Sequence, residues 1–539
     1  MKNKILTIIV ILIYTAVCYY LMIPAINITA PEFWSFLANI VIVGGTIYNL
    51  SNLDANVDSK NGYIKITDLN KGKSSSKVNK VLIGGFVVVY ASIFIFNIFL
   101  SPLISSNNYA TRIVIENGDF TTDIDEVDFT KLPLLDKNSS TKLGDRTMGE
   151  MSEWVSQFTV SDQYTQINYN DDIIRVTPLE YSGLIKYFGN KSEGVQGYIT
   201  VNSVDGTSNL VKLEEGMKYM PSAFFNEDLM RKLRFEYPTK IFGDEVFEID
   251  EEGNPHWIVP TISYKGVGLL KEVEGIIIMS AITGESKYYS VDNVPSWVDH
   301  VYSSELIVEQ IDDWGTYVNG FFNSIFSQKN VVNTTDGYNY LIIDEDVYLY
   351  TGITSVLSDE SNLGFILVNL RTKEATYYTM SGAEEYSAMA SAEGLVQEKG
   401  YDASFPLLIN LGGNATYMLS LKDSAGLVKM YAFVNVVDYQ IVSATDSSFG
   451  IDYAVEEYLS KVGNNVPTGD VIESEIKVSD VITATIGGNT VYYITDTSKN
   501  NYQVYINVNE SLLPFLKTGD KVTIKYTEGD INKITDIKK

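Results

Sequence analysis

Four stretches of this chain can be laid on one another without a gap, and that repetition limits the fold more than any other feature. Residues 275–289 read GIIIMSAITGESKYY, 197–211 GYITVNSVDGTSNLV, 364–378 GFILVNLRTKEATYY and 430–443 MYAFVNVVDYQIVS. Each is an apolar, β-branched run that meets a turn and returns as a second extended run, which predicts a strand pair. In this register Val201, Met279, Val368 and Val434 coincide. So do Asn202, Ser280, Asn369 and Asn435, and then Asp205, Thr283, Thr372 and Asp438. The motif starts lie 78, 89 and 66 residues apart, too far for solenoid repeats, so the chain beyond its first hundred residues is expected to be a tandem array of larger units.

The elements around each hairpin recur in the order helix, strand, strand, hairpin. For the first unit the periodicity predicts a helix over 144–158, strands over 164–169 and 173–178 around Asn170 and Asp171, and a short helix over 181–188. The second has a helix over 226–237 and strands over 245–250 and 256–264. The third has a helix over 303–326 and strands over 338–343 and 347–351. The fourth has a helix over 383–397 and strands over 404–411 and 416–421. The expected divisions are a lead-in over 101–143 with one strand at 111–116, then units over 144–213, 226–290, 303–380 and 383–445, each packing one helix on a curved antiparallel sheet. A helix and linker follow over 450–469.

The hairpin GIIIMSAITGESKYY, with its T-G-E turn, and the small-residue helix AEEYSAMASAEG from Ala383 resemble PepSY-type domains. The resemblance covers residues from about 140 to 445. It implies PepSY/cystatin-like, non-catalytic, extracytoplasmic modules that restrain or regulate envelope hydrolases and peptidases. Two copies depart from the pattern: Lys373 and Tyr439 stand where Gly206 and Gly284 do, so those turns are expected to differ in backbone or the alignment to slip. The whole chain also resembles a class of membrane proteins of low-GC Gram-positive bacteria, a likeness that adds location and no activity.

Residues 470–539 carry five short runs, 476–481, 490–495, 502–508, 521–526 and 531–537. With Leu516, Gly519, Asp520 and Val522 they resemble an OB-type barrel. Tyr492, Tyr493, Tyr502 and Tyr505 are available to a stacking face, but lysines and acids are mixed around them. The formal charge is -28, and the first hundred residues hold only Lys as basic residues, leaving a remainder more acidic still. Such a surface repels phosphates, so no nucleic-acid partner is expected.

Residues 5–23, 33–50 and 81–100 are candidate transmembrane helices. Residues 5–23 are long for a signal sequence and no small-x-small site follows them. Val17 occupies the place where a lipoprotein signal ending at Cys18 needs a small residue. Lys60, Lys65, Lys71, Lys73, Lys77 and Lys80 assign the loop 51–80 to the cytoplasm, which puts everything after Ser101 outside: a multi-pass anchor with a large extracytoplasmic region. Gly44 with Gly45 and Gly84 with Gly85 permit close helix approach, so a docking role stands beside the anchor role. Cys18 is the only cysteine, so neither a disulfide nor a disulfide-linked partner is expected.

Catalytic, cofactor and metal signatures are expected to be absent. Ser139 with Lys142, and Lys517 with Thr518 and Gly519, match two elements of the penicillin-binding enzymes, but Ser161 and Asp162 continue with Gln163 where the third element has Asn. Gly72, Lys73 and Ser74 lack the preceding glycine of a phosphate loop, Thr67 standing in its place. His256 and His300 are isolated. Asp344, Glu345 and Asp346 read as a solvated hairpin tip rather than a calcium loop. Trp257, Trp297 and Trp314 read as packing between units, with interface anchoring as the alternative. The sequence therefore points to a membrane-anchored, non-catalytic interaction or regulatory protein with an envelope protein as partner. Its alternatives are an envelope hydrolase whose site is assembled across units and an accessory subunit of a transporter.

Overall fold

In the computed structural model the chain is α+β, and residues 2–51, 55–58, 63–66, 72–356, 358–462, 472–486, 489–509, 511–527 and 531–539 are described. The linker expected at 463–469, together with Lys60, Thr67 and Lys71, lies outside the described residues. Helices α1 (Lys2–Met22), α2 (Pro31–Ser51) and α3 (Gly72–Phe99) occupy the three expected places. Among the described residues, two windows are long and apolar enough to cross a membrane, Ile5–Met22 in α1 and Lys80–Phe99 in α3. α1 and α2 pack where Gly44 admits Ile11, and the Tyr14 hydroxyl donates to Asn39 Oδ1 at 2.7 Å. Helix α4 (Pro102–Ala110) continues from α3, and beyond it Arg112 donates to Lys271 O at 2.7 Å and pairs with Glu309 and Asp313.

Four five-stranded units follow the same plan, two short strands sharing one long neighbour and two further long strands completing the sheet. In the first unit the strands are Phe158–Val160, Thr165–Tyr169, Asp172–Tyr181, Val195–Asn202 and Ser208–Met217. In the second they are Ile241–Phe242, Val246–Ile249, Pro255–Tyr264, Lys271–Ser280 and Ser286–Ser290. The third unit gains a strand from the lead-in: Ile115–Gly118 pairs in parallel with Ala375–Ala383. The helices are Lys137–Gly149, Leu229–Glu236, Ser304–Tyr317 and Glu385–Leu395.

One hydrogen bond marks the start of every unit. Leu135 N, Tyr219 N, Tyr302 N and Ala383 N donate to Ser203, Ala281, Leu370 and Val436 O, each the residue after the coincident Asn or Ser. The first helix therefore starts at Lys137, seven residues before the expected 144, because Asp136 caps it by accepting from Ser139 N. It ends at Gly149, and residues 150–157 are turns. The third helix stops at Tyr317 rather than 326, ahead of Gly320 at φ 86°, a conformation an α-helix does not accommodate.

The turn columns read from the sequence are built alike. Asn202 Oδ1 accepts from Val204 N and Asp205 N, Asn369 Oδ1 from Arg371 N and Thr372 N, and Asn435 Oδ1 from Val437 N and Asp438 N, while Ser280 Oγ accepts from Thr283 N. Side-chain bonds to the backbone two or three residues on fix the turn locally. Lys373 keeps the left-handed conformation of Gly206 and Gly284, with φ of 67° against 78° and 70°, so the expected change of backbone does not occur there. The fourth turn does differ. Asn435 N bonds Ile441 O, one residue further than in the Asn369 N to Glu374 O bond, so the hairpin around Tyr439 is longer.

The units are not independent domains with private cores. On strand Lys271–Ser280, Ile277 and Met279 join a core with Ile199, Val201 and Trp257, while Ile276 and Ile278 join a second with Val347, Leu349 and Val368. On the next sheet Phe365 and Leu367 face a third core with Leu419 and Phe433. The middle sheets are covered on both faces, which explains why GIIIM is apolar at every position instead of alternating. The last helix, Ile451–Val462, packs on the fourth sheet. A closed barrel follows, in the order Ile472–Ile486, Asn489–Asp496, Asn501–Tyr505, Asn532–Lys538, Lys521–Thr527, and fits the OB-like expectation.

Candidate functional site

A cleft of about 1080 Å³ lies between the first and second sheets. Its walls come from elements the repeat already placed together. Strand Ser208–Met217, the edge of the first sheet, contributes Asn209, Val211, Leu213, Glu214 and Glu215. The first turn adds Asp205 and Thr207, the tip of the second unit adds Asp250, Glu252 and His256, and the second turn adds Thr283 and Glu285. Ile174 and Ile249 form apolar floor, and Tyr198 ties the two units by donating to Gly253 O at 2.9 Å.

Carboxylates dominate this lining, and Lys212 is its sole lysine. Asp250 is the ordered one. Burial works to raise its pKa, but bonds from Asn254 N at 2.8 Å, Asn254 Nδ2 at 3.0 Å and His256 Nε2 at 3.1 Å outweigh that and hold it below the usual range. His256 also packs against Trp297, ring centroids 5.2 Å apart. Because Ser208–Met217 pairs with Val195–Asn202 along one side, its other side presents backbone donors and acceptors beside the acidic lining. The arrangement can receive an extended, positively charged chain.

A second polar cluster is closed. Glu248 is 0% exposed, and its two carboxylate oxygens accept from Asp299 N and His300 N, each at 3.0 Å. Asp299, 2% exposed, accepts from Asn168 N at 2.9 Å. His300 Nε2 lies 2.8 Å from Gln166 O, and Arg175 donates to Gln166 Oε1 at 2.7 Å. Burial pushes Glu248 up to about 7 against those N–H bonds, raises Asp299 with help from the charge of Glu248, and pulls His300 down to about 4. Two raised carboxylates in contact mark active sites in many enzymes. Here both are spent on backbone N–H groups, and the cluster clasps the loop after the second unit onto the first. Sequence reading missed it because its members lie on separate strands and loops, with only the isolated His300 visible.

The residues singled out from the sequence are dispersed. Ser139 donates to Gly426 O and Lys142 to Ala425 O, so they bind a loop of the fourth unit rather than each other, and Lys517 sits in the barrel. Asp344 and Glu345 form an exposed tip with φ of 49° and 72°, whereas Asp346 pairs with Arg371 at 2.6 Å. Trp257 is buried and donates to Tyr219 O at 2.9 Å, and Trp314 packs on Tyr377. Tyr492 and Tyr502 belong to the barrel core, so the four barrel tyrosines do not form one exposed face. Among the described residues no three His, Cys, Asp or Glu side chains converge as a metal site. Neither known family models nor curated proteins match the chain.

Proposed function

We propose that this chain is a membrane-anchored protein of the cell envelope that holds or regulates another envelope protein without catalysing a reaction, its array facing outward and its N-terminus inside. The acidic cleft between the first two units carries this reading. Its volume exceeds that of most small-molecule pockets, its wall includes an unpaired strand edge, and its charge selects a basic extended segment, the mode in which a polypeptide adds a strand to a sheet.

The cleft's position fits a partner in the same membrane. Connection 265–270 of the second unit touches the outer ends of the helices: Asn97 Nδ2 donates to Val267 O at 3.0 Å, and Gly268 N to Thr29 O at 3.1 Å. Strand Lys271–Ser280 runs from that connection to the turn lining the cleft, ten residues, or up to about 30 Å at the rise of an extended strand. A cleft at that height meets a segment rising from a neighbouring membrane protein.

Crosslinking in native membranes with identification of the retained protein tests the proposal, comparing the unaltered chain with Asp205→Asn, Glu252→Gln and Glu285→Gln combined. Retention of one envelope protein that the neutralised variant loses is the expected result. Equal retention by both would remove the cleft from the interface. The hydrolase alternative draws on the raised pair Glu248 and Asp299, and cleavage of wall or peptide substrates by the purified chain, abolished by Glu248→Gln, would replace the proposal with it.

A further inference from the structure

The second unit departs from the repeat in one place. From the marker hydrogen bond to the helix the other units take two residues: Leu135 to Lys137, Tyr302 to Ser304 and Ala383 to Glu385. The second takes ten, from Tyr219 to Leu229. This insertion holds Phe225 at φ 58° with half of its side chain exposed, a left-handed conformation that costs a bulky residue energy and is retained where the surroundings enforce it. Arg231 is the enforcer: its Nη1 donates to Phe225 O at 2.8 Å, its Nε donates to Tyr20 O at 3.2 Å, and its guanidinium lies 4.7 Å from the Tyr20 ring. The insertion is thereby tied to the outer end of α1.

The first unit departs beside it. Its connection between the first and second long strands, equivalent to the 265–270 loop that meets α3, holds a short helix, Leu184–Asn190. Ile185 on it is 84% exposed, Leu184 and Phe188 are exposed too, and the Phe188 ring lies 5.9 Å from that of Phe225. Phe235, also exposed, packs edge-on against Tyr19 at 5.9 Å. Apolar side chains thus gather at two places beside the end of a membrane-crossing helix, Phe235 against Tyr19 and Phe188 with Phe225, the second joined to the helix through Arg231, in a chain whose ectodomain is otherwise acidic.

We propose that Ile185, Phe188, Phe225 and Phe235 form a ridge that rests in the outer leaflet of the bilayer crossed by α1. This rests on the membrane-anchored reading. Tyr19 and Tyr20 lie in the last turn of the apolar window, where aromatic side chains sit at the lipid headgroups, so residues in ring contact with them stand at the same depth. Lys191, its Nζ 5.5 Å from the Phe188 ring, sits at the rim in position to meet lipid phosphates. The ridge fixes the tilt of the array and with it the height of the acidic cleft.

The test uses the full chain with Cys18→Ser and a single cysteine introduced as Ile185→Cys or, at the opposite end of strand Val195–Asn202 about 23 Å away, as Asp205→Cys. Each is labelled with a polarity-sensitive fluorophore in lipid nanodiscs, some containing phospholipid spin-labelled near the top of its acyl chain. Quenching at 185 and none at 205 is expected. An unquenched label at 185 in a chain that still co-elutes with the discs overturns the ridge and leaves the anchor standing. Blue-shifted but unquenched emission means protein covers the ridge and overturns it equally. Failure to co-elute removes the anchor reading and this one with it. Phe188→Cys, on the same helix, repeats the measurement where Ile185→Cys does not fold.

Discussion

Lys373, at the left-handed position of the third turn, reaches Glu272 on the second sheet with Nζ 2.8 Å from Oε1. Its ammonium also lies 5.4 Å from the Tyr302 ring. A residue that breaks the glycine pattern of its turn therefore bonds two neighbouring units. The backbone cost of a left-handed lysine is set against a contact that glycine cannot make.

Replacing Lys373 separates the two effects. Lys373→Gly removes the ion pair and relieves the backbone, whereas Lys373→Ala removes the pair and keeps the strain. Lys373→Ala is expected to be the less stable by about 1 kcal/mol. Urea unfolding of the two variants measures it, and equal midpoints would refute the role of strain.

Glu248 and His300 give opposing pH dependences. Between its ordinary 4.5 and about 7, Glu248 keeps a proton in the folded chain that the unfolded chain releases, so stability falls as pH rises through that window. Between about 4 and its ordinary 6.5, His300 lacks a proton the unfolded chain binds, so stability rises with pH. Glu248→Gln removes the first limb, so its stability relative to wild type improves by about 3 kcal/mol between pH 4.5 and pH 8. A constant difference across that range in denaturant titrations would contradict the assignment.

Asp136 caps the first helix and pairs with Lys422 of the fourth unit. Burial raises its pKa, but the bonds from Lys422 and Ser139 overcome this and depress it. The contribution is present above the ordinary 3.8 and lost as pH falls below it. Asp136→Asn retains a capping oxygen and loses the charge, so it should cost roughly 1.5–3 kcal/mol at neutral pH and little in acid. Unfolding curves at the two pH values decide the matter, a cost unchanged by pH being the contrary result.

Glu385 is a buried carboxylate at the third core, where its Oε1 accepts from Tyr350 at 2.7 Å and its Oε2 from Asn362 at 3.2 Å. Tyr350→Phe keeps the ring and deletes the donor. A loss of about 1–3 kcal/mol is expected, and Tyr350→Phe with Glu385→Gln together should cost less than the sum of the two. Strict additivity in the double-mutant cycle would show that the bond carries no coupling.

The sequence by itself determined the hairpins and their register, because Asn202, Ser280, Asn369 and Asn435 act on backbone two or three residues away and need nothing from the rest of the chain. It also determined the apolar helices and the five barrel strands, whose signals are local runs and periods. Tertiary structure alone decided the rest. It set which face of GIIIM meets which neighbouring sheet, and moved Ile115–Gly118 from the lead-in to the third unit. It buried Glu248 against Asp299 and His300, kept Lys373 left-handed beside Glu272, and assembled the acidic cleft from two units. Each of these depends on contacts between residues far apart in the chain, whose spacing follows no period that the amino-acid order records.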